Sequence, residues 1–135
     1  MIRAVFAAFL ALALPAHAEM QIKEVVSPGG ITAWLVEDHN IPFTALEIQF
    51  RGGTSLDAPE KRGAVNLMTA LLEEGAADLD SRAFAEARDA LAADFTFEAG
   101  TDSVGVSVRF LTENRDDAVT LLRKALVEPR FDQDA

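Results

Sequence analysis

The chain contains no cysteine. Disulfides, thiolate nucleophiles and thiolate metal sites are therefore excluded. Histidine is nearly as scarce, with only His17 and His39. Cations are also few: 12 Lys and Arg stand against 22 Asp and Glu, for a formal net charge of −10. That balance argues against nucleic acid, where Lys and Arg must neutralise phosphates. It argues equally against anionic membrane surfaces, and the acidity serves solubility. No hydrophobic run is long enough to span a bilayer. The apolar stretch Val5–Leu14 covers about ten residues, where a spanning helix needs about 20. There is no repeat of fixed period and no low-complexity segment.

What is present begins with a leader. Arg3 supplies a short positive region, the apolar run follows, and Ala16-His17-Ala18 has the A-x-A pattern of a cleavage site. Residues 1–18 are therefore predicted to be a signal peptide, leaving a mature chain from Glu19 to Ala135 with no membrane span. Removal takes away Arg3 and His17, so the mature chain is one charge more acidic and His39 is its sole histidine. An exported protein without disulfides fits a periplasmic or secreted location. The mature length suits one small domain with one core.

The pattern predicts strands at Gln21–Ser27, Ile31–Glu37 and Phe43–Phe50, with Pro28-Gly29-Gly30 turning the first pair. In the third strand Thr44, Leu46, Ile48 and Phe50 form the apolar face, opposite Phe43, Ala45, Glu47 and Gln49. Asp57-Ala58-Pro59-Glu60 reads as the start of a helix, with Asp57 and Glu60 in a capping-box-like pattern. Ala64, Leu67, Met68, Leu71 and Leu72 then recur at helical spacing, widened by Val65 and Ala70. This helix should be largely buried and end at Gly75. A second helix runs from Asp80 or Ser81 to about Ala92. Asp94–Ala99 and Ser103–Leu111 read as strands, the latter alternating Val104, Val106, Val108 and Phe110 against polar residues. A third helix opens at Thr112 or Asn114, buries Ala118, Leu121, Leu122, Ala125 and Leu126, and stops before Pro129. The order β-β-β-α-α-β-β-α predicts an α+β, two-layer domain, mostly antiparallel, with helices on one face of the sheet. Pro129–Ala135 looks like the cap and first turn of a further helix, so the domain is expected to be incomplete at its C-terminus.

Candidate chemistry is thin. His39 sits in Glu37-Asp38-His39-Asn40 and reads as a polar turn residue. No Ser or Thr has a His partner for nucleophilic catalysis. Glu73 and Glu74 are adjacent on a helix and point in different directions, as a solvated C-terminal turn. Gly52-Gly53-Thr54-Ser55 lacks the spacing and the Lys of a phosphate loop.

Four segments in order carry a family resemblance: Val36-Glu37-Asp38-His39-Asn40-Ile41-Pro42, Phe50-Arg51-Gly52-Gly53, the helix after Gly63, and Glu128-Pro129-Arg130-Phe131. Together they resemble the N-terminal part of the pitrilysin/insulinase-type superfamily of zinc metallopeptidases, which includes the processing peptidases. Catalytic members carry H-x-x-E-H on that helix. Two imidazoles four residues apart grip one zinc ion, and the glutamate polarises the bound water. The matching positions here are Asn66, Thr69 and Ala70, so neither the ligands nor the base are present.

The resemblance implies a subunit without a catalytic site or cofactor of its own, zinc being held only by a homologous catalytic partner. Such a subunit helps to bind and position peptide substrates. It further implies that Phe95, Thr96, Phe97, Glu98 and Ala99 match the edge strand to which a peptide adds in catalytic relatives. A peptide-binding or scaffold protein with no peptidase partner is the alternative, and an unrelated α+β interaction domain is a third reading.

Overall fold

The computed structural model describes residues 21–133. The predicted signal peptide and the final residues Asp134-Ala135 lie outside them. The described residues fall into two compact units divided between Asn40 and Ile41.

The first unit is an antiparallel hairpin. Strand β1 (Ile22–Val26) pairs with β2 (Thr32–Val36) in the register Ile22↔Val36 to Val26↔Thr32. Gly30 takes a φ of 84° in the turn, a conformation that suits glycine. Ser27 closes that turn, its hydroxyl accepting from the Ile31 N–H at 3.0 Å. Its apolar side chains, Trp34 among them, are exposed.

The second unit is built on a three-stranded antiparallel sheet. Strand β3 (Phe43–Arg51) leads through 3₁₀ turns at Thr54–Leu56 and Pro59–Lys61 to helix α1 (Ala64–Leu71). Two-residue strands β4 (Gly75–Ala76) and β5 (Leu79–Asp80) follow, then α2 (Ser81–Ala90), β6 (Asp94–Ala99), β7 (Ser103–Leu111) and α3 (Arg115–Val127). The sheet order is β3-β7-β6, with β7 central. Alternation places Val104, Val106, Val108 and Phe110 of β7 and Phe95 of β6 inside. They pack with Phe84 of α2 and with Ala118, Leu121, Leu122 and Ala125 of α3. Leu46 and Ile48 of β3 lean on the same cluster, as their strand pattern predicts. Phe84 and Phe95 meet edge to face at 6.3 Å between ring centres. This is the expected α+β architecture.

Several local expectations are corrected. Helix α1 begins at Ala64, not near Asp57, because Gly63 reaches a φ of 93° only after the two 3₁₀ turns. Asp57 still caps it, from a distance in sequence: its carboxylate accepts from the backbone N–H of Gly63 at 2.7 Å and of Val65 at 3.1 Å. The anticipated capping box with Glu60 does not form. The α1 stripe is also turned from its expected face. Thr69 and Leu72 are the buried residues and Val65 is half-buried, whereas Leu67 is 61% exposed. The helix is apolar nearly all round, so β6, against which it packs, decides which side is covered.

The β4–β5 hairpin has no counterpart in the sequence pattern. A bridge from Ala76 to Pro129 extends it, with the Ala77 N–H donating to Glu128 O and the Arg130 N–H to Gly75 O. Pro129 and Arg130 therefore brace that hairpin, and residues 129–133 contain no helix. Glu73 and Glu74 are likewise not merely solvated. Both are half-buried; Glu73 pairs with Arg88 at 2.9 Å, and Glu74 accepts from the Ser81 hydroxyl.

Candidate functional site

The candidate site is helix α1 and the strand beside it. Asn66 and Ala70 are exposed, one turn apart on the outer side of α1. Thr69, about 60° round the helix from Asn66, is turned inward, is only 4% exposed, and donates its hydroxyl hydrogen to the Asn66 carbonyl at 2.9 Å. The three positions therefore divide between an outer amide and methyl and an inner hydroxyl satisfied within its own helix. None of these groups suits a metal or activates water at neutral pH. Among the described residues there is no group of three or more His, Asp or Glu placed to hold a metal ion.

The helix is held at both ends. At its N-terminus the Asp57 carboxylate binds two of the N–H groups that an α-helix leaves unpaired. The loop leading to it is tied to the β6–β7 turn. Gly52 N–H donates to Asp102 O, Thr54 N–H to Gly100 O and Ser55 N–H to Thr101 O, at 2.8, 2.9 and 2.9 Å. Beyond its C-terminus the Arg88–Glu73 pair fastens the chain to α2. The sequence pattern points to Asp57 as a cap but not to its reach. Asn114 opens the last helix as its N-cap, as expected, but makes no side-chain capping bond. Its side-chain amide donates to Leu91 O at 2.8 Å, joining the start of α3 to the end of α2.

Strand β6 coincides with its predicted bounds. Of the five residues predicted to meet a peptide, Phe95 is buried, and Phe97 and Ala99 are half-buried on the core side. Only Thr96 and Glu98 expose their side chains, and Asp94 joins them on that face. Strand β7 pairs with one edge of β6. Among the described residues no strand pairs with the other edge. What β6 offers a ligand is thus its backbone and the row Asp94, Thr96, Glu98.

His39 lies in the hairpin unit, in a turn organised by Asp38, whose carboxylate accepts from the Asn40 N–H at 2.9 Å and the Asn40 side-chain amide at 2.7 Å. Those two bonds, the backbone one foremost, hold the Asp38 carboxyl below its ordinary pKa. Glu37 is lowered by its hydrogen bond from Lys23 and by that residue's charge. A groove of about 190 Å³ between α2 and α3, floored by Leu79, Ala87, Leu91 and Leu121, contains none of the predicted site residues. No helix among the described residues is long and apolar enough to cross a membrane.

No family model matches the chain. It is similar to a curated non-peptidase homologue, YmxG, of Helicobacter pylori, at 31% identity over 99 residues. That match covers 73% of this chain and 23% of the relative, so the chain spans about a quarter of the curated relative's length. Among solved structures it is similar to the peptidase M16 inactive domain from Pseudomonas fluorescens. There the TM-score is 0.77 at 29% identity, covering 85% of this chain and 28% of that one.

Proposed function

We propose, from the premise that this chain has the fold of an inactive pitrilysin-like M16 peptidase homologue, that it serves as a non-catalytic subunit beside a homologous zinc-binding peptidase. The observation that carries the reading is the composition of α1. Asn66, Thr69 and Ala70 occupy the places of two imidazoles and a carboxylate. In this reading the chain holds no cofactor of its own, and zinc resides in the partner. The leader at residues 1–18 directs the subunit to the periplasm or beyond. Its contribution is to receive extended peptides along the free edge of β6, where backbone pairing tolerates many sequences.

The test is co-purification of the full-length protein from its native host, followed by zinc analysis of each chain and peptidase assays of each. Zinc and cleavage confined to a homologous partner are expected. Chelator-sensitive cleavage of unstructured peptides by this protein alone would overturn the proposal. A complex with no zinc-bearing chain would favour the scaffold reading instead.

A further inference from the structure

We infer that the open edge of β6 prefers an extended peptide carrying two cationic side chains four residues apart, the more important of them opposite Glu98. The inference rests on the proposal that this edge receives peptides. Alternation sends Asp94, Thr96 and Glu98 to the solvent face of the strand, all three exposed. Asp94 and Glu98 lie about 13 Å apart along it. A strand added to this edge places alternate side chains on the same face, directly across from these residues. Positions four apart in the peptide then face both carboxylates at once, and a neutral position between them faces Thr96.

The two carboxylates are not equivalent. Asp94 stands in register with Arg109 on β7, which lowers its pull on an incoming cation. Glu98 stands in register with Gly105, which has no side chain, and then with Gln49 on β3. No ion pair or side-chain hydrogen bond engages Glu98 among the described residues. It is thus the uncompensated anion on the edge strand. The inner side chains of an added strand fall beside Phe95 and Phe97, on the core side of the sheet, and should be apolar. The preferred ligand therefore alternates, apolar inward and polar outward, with its cations on the outward side.

The experiment uses the full-length protein and a set of fluorescent strand-forming peptides of alternating Val and Thr, measured by anisotropy. One peptide is neutral. One has Lys at two outward positions four apart, one has the same two Lys adjacent, and one has Glu in place of the spaced Lys. An exposed cross-strand charge pair favours binding by about 1.4- to 5-fold. The spaced-Lys peptide should therefore bind about 2- to 25-fold more tightly than the neutral one at low salt. The adjacent-Lys peptide should gain less, because only one Lys can face outward. Raised salt should shrink the preference. Glu98→Gln should reduce the ratio of neutral to spaced-Lys Kd more than Asp94→Asn does, with unchanged far-UV circular dichroism. Equal binding of all four peptides would refute the charge preference while leaving peptide binding intact. Equal gain from spaced and adjacent Lys, or a preference that survives both substitutions, would assign it to the overall negative charge and refute it too. If no peptide binds, the peptide-binding proposal fails and the inference fails with it.

Discussion

Gly53 is the residue at which the loop before α1 touches the β6–β7 turn most closely. A Cβ built there lies 2.2 Å from Gly100 O, 2.8 Å from Thr101 O and 2.9 Å from Ser103 N. All three are backbone atoms, so no side chain can swing aside, and Gly53→Ala must push the two loops apart. Overpacking of this kind costs about 1–3 kcal/mol. The separation also strains the bonds from Gly52, Thr54 and Ser55 to the turn. Losing two of them adds about 1–3 kcal/mol, at a net 0.5–1.5 each. The expected loss is therefore about 2–6 kcal/mol, a large part of the 5–15 kcal/mol typical of a folded domain.

Urea unfolding is the assay, followed by far-UV circular dichroism. The one tryptophan, Trp34, lies in the hairpin unit and does not report on the sheet. With an m value of about 1.5 kcal/mol/M, a loss of about 3 kcal/mol lowers the midpoint by about 2 M. Gly105→Ala, in β7, is the control. A Cβ there meets nothing within 4 Å, and the reduced freedom of the unfolded chain should stabilise by about 0.4–1 kcal/mol. A Gly53→Ala midpoint within about 0.3 M of the parent, or an equal fall for Gly105→Ala, would refute the reasoning.

Four further outcomes are expected. Asp57→Ala removes the cap on α1 and should cost about 1–2 kcal/mol, with amide exchange at Gly63 and Val65 accelerated relative to α3; unchanged exchange would contradict the cap. Phe84→Ala empties the centre of the core and should cost about 3–5 kcal/mol in the same urea assay. The Asp78 carboxyl is held below its ordinary 3.8 by the hydrogen bond from Lys124, with help from its own backbone N–H and the Lys124 charge. Its contribution to stability is therefore present above pH 3.8 and lost as pH falls through the lowered folded value. Lys124→Met should move the NMR titration of Asp78 upward, and an unmoved titration would discount the pair. Thr69→Glu buries a carboxylate without a metal or cation and should cost at least about 3 kcal/mol, whereas Thr69→Val should stay within about 1 kcal/mol. Similar losses for the two would show that burial of charge is not the issue.

Legibility in the sequence followed the strength of the local signal. Strand β7 was readable to the residue because Val104, Val106, Val108 and Phe110 alternate over nine positions with small or polar residues. Strand β6 and the buried side of α3 were readable for the same reason. Helix α1 was legible as a helix but not as a face. Ala64, Val65, Leu67, Met68, Ala70 and Leu71 leave only Asn66 and Thr69 polar. A stripe drawn through such a sequence has no unique orientation, and packing against β6 selected the side bearing Thr69. The β4–β5 hairpin was invisible because two-residue strands carry no period. It exists through its bridge to Pro129, more than 50 residues away by the numbering. The strand Asp94–Ala99 keeps its predicted bounds. Phe95 belongs to the core and Phe97 leans on it, while Asp94, Thr96 and Glu98 form the exposed row.

The burial of Thr69 connects these observations to function. A glutamate at an inward position is tolerable when a cation compensates it, and a zinc ion held by adjacent imidazoles would do so. With Asn66 and Ala70 in place of the imidazoles, the helix offers no such ligands, and a carboxylate there would be an uncompensated buried charge. A hydroxyl hydrogen-bonded to the carbonyl three residues back requires no external partner. The three replacements are therefore one coherent change: once the ligands are gone, the short neutral side chain is the stable occupant of the inward position. The helix packs beside β6, and its exposed Asn66 and Ala70 offer no acid, base or metal ligand.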